Sequence, residues 1–110
     1  MFRSNAEARP VEMAPGVTRR TLNNGERTTL IEVTLEQGAE VPLHTHPHEQ
    51  IGYIASGRLL FQIGDEKREL AAGDSHLVPG NVPHGVKALE PTVAIDIFFP
   101  PREEYAADLS

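Results

Sequence analysis

The sequence contains no cysteine, and this absence narrows the chemistry available to the chain. Disulfide bonds and thiolate metal ligands are both excluded, so imidazole and oxygen ligands are all that the chain can offer a metal ion. Basic residues are also scarce, because 10 Lys and Arg stand against 16 Asp and Glu, a net charge of −6. This balance argues against a nucleic-acid backbone or an anionic membrane surface as a partner.

Long apolar runs are missing as well. No stretch approaches the ~18 apolar residues of a membrane span, and the N-terminus contains no apolar signal segment. We therefore expect no membrane partner and a cytoplasmic location. The 110 residues suit one compact domain. We expect a flexible arm over residues 1–9 and a single domain over residues 10–110.

Gly and Pro, nine of each, punctuate the sequence every few residues. Short runs rich in Val, Ile, Leu, Thr and Phe lie between them, a pattern typical of an all-β sandwich or barrel. The runs predict eight strands: Val17–Leu22, Thr28–Leu35, Gln50–Ala55, Arg58–Ile63, Lys67–Leu70, Ser75–Val78, His84–Ala88 and Thr92–Phe99.

The residues between these strands predict the turns. Asn24-Gly25 indicates a two-residue hairpin, and Ser56-Gly57 and Gly64-Asp65 indicate two further tight turns. Pro100-Pro101 ends the last strand, since neither residue can donate to a sheet ladder. The sequence predicts one short helix, over Arg102–Ala107.

Three of the five histidines lie within one short stretch that ends at Gln50. On an extended chain, residues two apart face the same side, so His44 and His46 point together. Gln50 has the same parity, and His84 follows a Pro-Gly turn in a separate segment. Ligands on two separate strands can surround one ion in a rigid barrel. The pattern therefore predicts a metal site formed by His44, His46, Gln50 and His84.

The alternative interpretation is that these histidines are solvated loop residues, as a lone histidine usually is. The clustering, together with the histidine after the Pro-Gly turn, favours the metal site. Imidazole and amide oxygen suit divalent nickel, zinc, manganese or iron, and this donor set does not choose among them.

The same residues resemble the two motifs of the cupin superfamily. The first stands here as Gly38-x5-His44-x-His46-x3-Gln50-x6-Gly57, and the second as Gly73-x5-Pro79-x-Asn81-x2-His84. The resemblance implies a double-stranded β-helix, the cupin jelly-roll barrel, with a divalent transition metal at its centre.

Two positions depart from the cupin motifs. Gln50 replaces the usual Glu, so the ligand set is neutral and a bound metal is a stronger Lewis acid towards an anionic ligand. Asn81 replaces a Gly, a mild change because Asn also accepts a left-handed backbone conformation.

The segment Asp96–Tyr105 resembles the C-terminal end of small cupins that linearise 4,5-unsaturated uronates from pectin or alginate breakdown. In that family three His and a Gln hold the metal, and an Asp, a Phe and an Arg face the substrate. The resemblance places these three roles on Asp96, Phe98 and Arg102. It implies an enzyme that opens a sugar-acid ring without redox chemistry, with Asp96 and Arg102 catalytic and with Phe98 and Arg102 binding the substrate.

The position of Asp96 supports a pocket independently of the resemblance. Asp96 interrupts the apolar run from Val93 to Phe99, and alternation places it on the same face as Ala94 and Phe98. An isolated buried carboxylate is costly, so Asp96 should face a polar lumen, the metal or Arg102. The alternative is an ion pair between Asp96 and Arg102 at the barrel rim, without a catalytic role.

Two other functions remain open at this stage. A dioxygenase that uses iron or copper on a small organic substrate would consume oxygen. A non-catalytic module would bind a sugar or an effector and leave it unchanged. In every case we expect a small-molecule ligand, and the apolar outward face of the last strand predicts a homodimer.

Five other residues with aromatic, imidazole or acidic side chains lie in or near the predicted strands. His48 and Glu49 either orient the ligands beside them or lie on the surface. We expect His76 to be an ordinary surface or rim histidine. We expect Tyr53 and Phe61 to belong to the core.

Overall fold

Ten β-strands in two antiparallel sheets make up most of the computed structural model, which describes all 110 residues. The strands are β1 (Pro10–Ala14), β2 (Val17–Asn24), β3 (Thr29–Leu35), β4 (Glu40–His44), β5 (Glu49–Ser56), β6 (Arg58–Ile63), β7 (Glu66–Ala71), β8 (Ser75–Val78), β9 (His84–Ala88) and β10 (Thr92–Phe99). A 3-10 turn covers Asn5–Glu7, the helix α1 covers Glu103–Ala106, and a second 3-10 turn covers Ala107–Leu109. No helix is both long and apolar enough to cross a membrane.

The two sheets form the jelly-roll barrel that the sequence predicts. The larger sheet has the order β1-β2-β3-β10-β5-β8, and the smaller has the order β4-β9-β6-β7. The alternation of side chains along a strand explains why one face of the larger sheet lines the lumen. In β3, every second residue from Thr29 to Leu35 is buried. All eight predicted strands are present, with ends that shift by two residues at most.

The sequence analysis missed two strands, β1 and β4. Both lie at sheet edges, β1 beside β2 and β4 beside β9. Val41 and Leu43 alternate with polar or proline positions in β4, but Leu43 is exposed and Val41 is only partly buried. Edge strands of this kind lack the buried face that makes an alternating pattern recognisable.

The structure confirms the predicted turn at Gly64-Asp65, but the two-residue hairpin predicted at Asn24-Gly25 is wrong. Gly64-Asp65 joins β6 to β7 as a two-residue hairpin, with Gly64 at a φ of 58°. Asn24-Gly25 does not form a two-residue turn, because Asn24 pairs with Thr29 across a four-residue connection. The Gly25 amide donates to the Thr28 carbonyl at 2.8 Å, and this bond closes the longer loop.

The turn at Gly57 carries the chain from the larger sheet to the smaller one. Its φ is +88°, and a Cβ at this position would lie 2.2 Å from the carbonyl oxygen of Pro91. Only glycine fits both requirements without strain. The predicted tight turn is therefore present, but it connects two sheets rather than two paired strands.

Apolar side chains between the sheets form two core clusters. The first contains Val17, Ile31, Val33, Leu35, Ala88, Phe98 and Tyr105, and the second contains Ile54, Leu59, Phe61, Leu70, Val78 and Ala94. Phe61 is a core residue as predicted. The same prediction is wrong for Tyr53, which points outward from β5 and is 51% exposed.

The C-terminal segment folds back onto the barrel and is held there by a buried carboxylate. Asp108 accepts hydrogen bonds from Arg19 Nε at 2.8 Å and from Thr21 Oγ1 at 3.1 Å, both on β2. Tyr105 from α1 is buried in the first core cluster. The amide of Arg102 donates to Thr29 Oγ1 at 2.9 Å. These contacts place Arg102 at one end of the barrel.

The outer face of the larger sheet carries a straight row of apolar side chains. Leu30, Ile97, Ile51 and Leu77 are aligned across the neighbouring strands β3, β10, β5 and β8. The last three are each exposed by more than a third, as are Tyr53 and Phe99 on the same face. A soluble protein rarely leaves such a patch uncovered.

Candidate metal centre and active site

Three histidines converge at one end of the barrel. His44 ends β4 and His84 begins β9, and the two residues are directly opposite in the strand register. His46 lies in the loop that leads to β5, where Gln50 is the second residue. One ring nitrogen from each of the three histidines lies within 4.8 Å of the others.

Backbone carbonyls fix the orientation of each imidazole. Nδ1 of His44 lies 2.9 Å from the carbonyl oxygen of Pro42, and Nδ1 of His84 lies 2.9 Å from that of Val82. Nδ1 of His46 lies 3.0 Å from the carbonyl oxygen of His48. A carbonyl oxygen can only accept, so each ring carries its proton on Nδ1. The lone pair of each Nε2 is then free to bind a metal.

Two further observations fit a metal ion at this place. His84 Nε2 is buried and has no hydrogen-bond partner, which is costly unless something coordinates it. Gln50 Oε1 lies 3.2 Å from His46 Nε2 and adds an oxygen donor beside the three nitrogens. Three imidazoles and one amide oxygen form a donor set for a first-row divalent ion.

The surroundings of His84 and His46 favour the neutral form of these two imidazoles. Burial lowers the pKa of His84 from 6.5 to about 4, with smaller contributions from the neighbouring His44 and His46. Burial also lowers the pKa of His46, and the positive charge of Arg102 acts in the same direction. Neutral imidazole is the form that binds a metal, so these two ligands do not have to lose a proton at neutral pH.

Asp96 and Phe98 both point into the barrel from β10. Asp96 is 8% exposed, and its Oδ1 is buried without a hydrogen-bond partner. The ring of Phe98 lies edge-on to that of His46, with centroids 5.6 Å apart. The two residues therefore line the space next to the histidine cluster.

Arg102 reaches the same space from the turn before α1. Its guanidinium carbon lies 4.1 Å above the ring of Tyr105 and 5.0 Å from that of Phe98. Its ion-pair partner is Glu104, not Asp96. The structure therefore contains no ion pair between Asp96 and Arg102 at the barrel rim, which was the alternative interpretation.

His76 belongs to this site, contrary to the sequence-based expectation of a surface or rim histidine. Its side chain is 3% exposed, and Nε2 lies 3.4 Å from Asp96 Oδ1 and 3.2 Å from Gln50 Nε2. The ring packs on that of Phe61, with centroids 4.3 Å apart. One signal could have revealed this, since His76 has the parity of the buried Val78 in a four-residue strand.

Gly52 makes the close approach of His76 and Asp96 possible. It lies between them in the sheet and pairs with His76 on one side and Asp96 on the other. A Cβ at this position would lie 2.3 Å from His76 Cε1 and 2.4 Å from Asp96 Oδ1. Both polar side chains occupy the room that any larger residue would need.

His48 and Glu49, which lie beside the metal-ligand candidates in the sequence, have different surroundings. The carbonyl of His48 orients His46, as described above, while burial and the charge of Arg102 lower the pKa of the His48 ring. Glu49 is exposed at the start of β5, opposite Phe99. His48 therefore supports the cluster through its backbone.

Comparison with known proteins agrees with the geometry. The pectin degradation protein KdgF of Dickeya dadantii is 34% identical over 96 residues, which span 86% of this chain and 87% of that protein. The structure of KdgF from Halomonas sp. has a TM-score of 0.89 at 33% identity, covering 94% of this chain and 96% of that one. An RmlC-like cupin from Shewanella frigidimarina has a TM-score of 0.90 at 28% identity and covers 94% of each chain.

The family model described as the cupin domain matches residues 31–98, a range that contains all four expected metal ligands. The motifs, the two sheets and the relatives thus agree, and the chain belongs to the cupin family.

Proposed function

We propose that this protein binds a divalent transition metal through His44, His46, Gln50 and His84 and opens the ring of 4,5-unsaturated monouronates. The observation that carries the proposal is the convergence of three free Nε2 lone pairs next to an inward carboxylate, Asp96. The two similar KdgF proteins support the substrate class, because the one from Dickeya dadantii is named for pectin degradation.

A bound ion would act as a Lewis acid that polarises the oxygens of the sugar. Ring opening converts the hemiacetal into an aldehyde and an enol, and the enol becomes a ketone. The net change moves one proton from the anomeric hydroxyl to C4 and consumes neither oxidant nor water. Asp96, buried and free of a hydrogen-bond partner, can accept this proton and return it.

Arg102 is the group that can hold the substrate carboxylate. A guanidinium binds a carboxylate through two parallel hydrogen bonds, and the rings of Phe98 and Tyr105 restrain its orientation. Phe98 would contact the sugar ring beside His46. The negative net charge of the chain makes this local cation more important for attracting an acid.

We also propose that the physiological unit is a homodimer joined through the outer face of the larger sheet. The row of Leu30, Ile97, Ile51 and Leu77 carries no charge and crosses four strands. A two-fold axis through this row would bring the same apolar patch of both copies together. Such a contact would remove the exposed side chains from water.

The test of the enzymatic proposal is direct. Metal-loaded protein is incubated with 4,5-unsaturated galacturonate, and the loss of its ultraviolet absorbance is followed against a chelated control and in an oxygen electrode. Acceleration that depends on metal but consumes no oxygen would support ring opening. Oxygen uptake would favour a dioxygenase, and binding without conversion would favour a non-catalytic module.

A further inference from the structure

We infer that His76 is a positioning residue that orients the Gln50 amide for metal binding. The inference rests on the metal site proposed above and adds a residue that the cupin motifs do not contain. It follows from a simple property of glutamine: its side chain ends in one oxygen, which can bind a metal, and one amino group, which cannot. Something must therefore decide which end faces the histidines.

The contacts around Gln50 match one of the two orientations. Oε1 lies 3.2 Å from His46 Nε2, on the side of the histidine cluster. Nε2 lies 3.2 Å from His76 Nε2, on the opposite side. When His76 carries its proton on Nδ1, its Nε2 accepts a hydrogen bond from the amide. The Nδ1 hydrogen then has no partner in the protein, because Nδ1 is buried without a hydrogen-bond acceptor. The reversed amide would direct an oxygen at His76 and an amino group at the cluster.

His76 is well placed to enforce this orientation because its ring is closely confined. The ring is buried, packs on Phe61 and lies in the room left by Gly52. Its Nε2 also lies 3.4 Å from Asp96 Oδ1. With the proton on Nδ1, this nitrogen gives no hydrogen to Asp96, and the carboxylate stays free for the substrate.

The first test measures the affinity for Ni²⁺ alone, by competition with a chromophoric chelator, and needs no substrate. His76→Phe keeps a ring beside Phe61 and removes both nitrogens, and we expect it to weaken Ni²⁺ binding by about 10- to 100-fold. His76→Gln places an amide oxygen near the position of Nε2 and should restore most of the affinity. Circular dichroism of each variant monitors the fold.

The same substitution in a Gln50→Glu variant distinguishes a loss of amide orientation from a general disturbance of the structure. In Gln50→Glu the carboxylate presents an oxygen to the cluster whichever way it turns, so no neighbour has to orient it. His76→Phe should then weaken Ni²⁺ binding much less than it does beside Gln50. An equal loss in both backgrounds would mean that His76 only maintains structure, and it would overturn the inference.

The remaining outcomes separate this inference from the proposed function. If the unmodified protein binds no metal, the proposed site itself is wrong and the inference falls with it. If the unmodified protein binds Ni²⁺ and His76→Phe binds it equally well, only the role of His76 is overturned.

Should His76→Phe fail to fold, the unmodified protein still provides an answer. A nitrogen–nitrogen coupling in the NMR spectrum across the Gln50 amide and the His76 ring would demonstrate the hydrogen bond. A His76 ring found with its proton on Nε2 would contradict it.

Discussion

Arg102 and Glu104 form an ion pair at the barrel mouth, in which the arginine side chain is 12% exposed and the glutamate side chain 62% exposed. The guanidinium that we propose for the substrate carboxylate is therefore already paired with a carboxylate of the chain. In that proposal, a uronate carboxylate would compete with Glu104 for the Arg102 guanidinium. Glu104 would then act as an internal competitor.

Replacing Glu104 with Gln removes this competitor. An exposed ion pair is worth about 0.2–1 kcal/mol, so we expect the KM for unsaturated galacturonate to fall by up to about fivefold with kcat unchanged. Steady-state kinetics at low ionic strength measures the effect. Glu103→Gln, on an exposed neighbour with no ion pair in the structure, is the matched control. A KM that rises in Glu104→Gln would mean that Glu104 helps to place Arg102.

Asp96→Asn tests the proposed proton transfer. The amide keeps the size of the carboxylate but cannot accept the proton, so kcat should drop by about 10²- to 10⁴-fold. Metal content, measured by atomic absorption, should stay the same because Asp96 is not a proposed ligand. Asp65→Asn, in the exposed β6–β7 turn, should retain full activity. Undiminished turnover in Asp96→Asn would rule out the mechanism.

The stability of the metal-free protein should depend on pH because of His84. In the unfolded chain this imidazole binds a proton near pH 6.5, but in the folded protein only near pH 4. The unfolded state therefore binds more protons between these values, and the free energy of unfolding should decrease as the pH falls through that window. Above pH 6.5 this contribution should be constant.

Urea denaturation of the metal-free protein across that window checks the sign. His84→Gln should make the dependence shallower. Part of it should remain, because the pKa of His46 is lowered in the same direction. A metal-free protein that becomes more stable on acidification within the window would contradict this assignment.

The proposed dimer predicts a change of mass in solution. Ile97→Glu places a charge in the centre of the apolar row, and light scattering should then find the 12.1 kDa monomer instead of twice that mass. Leu43→Glu is the matched control, since Leu43 is also exposed but lies on the smaller sheet. If both variants keep the mass of the unmodified protein, the outer face is not the interface.

The contact between Arg19 and Asp108 should anchor the C-terminal segment. Asp108→Asn loses charge-assisted hydrogen bonds, and we expect the free energy of unfolding to fall by about 1–3 kcal/mol. Arg9 also approaches Asp108, at 3.7 Å, but its side chain is 61% exposed. Arg9→Met should consequently have little effect in the same urea titration. An equal decrease in the free energy of unfolding in the two variants would contradict the proposed anchoring role of the Arg19–Asp108 contact.

The parts of this structure that follow from the sequence are those with a repeating or spaced pattern. The alternation in β3 and β10 predicts both strands and the inward face of Asp96. The spacing of His44, His46 and Gln50 predicts their meeting with His84. Hydrophobic burial dictates the alternation. The ligand residues are recognised from their spacing and from its match to the cupin motifs.

Other features depend on packing between elements and could not be read in this way. The interior position of His76 depends on which face of a four-residue strand points inward. Tyr53 shows the same limit, because an apolar side chain on a strand can serve the core or the outside. The pairing of Arg102 with Glu104 depends on how the chain turns after Pro100, which no periodic pattern encodes.

The absence of a side chain at Gly52 restricts which substitutions can accumulate in this protein during evolution. Alanine there would collide with both His76 and Asp96, so a lineage that needs this pair must keep the glycine. The reverse also holds: once His76 or Asp96 has been lost, the constraint on position 52 is relaxed. Related sequences that retain both polar groups are therefore expected to carry glycine at this position.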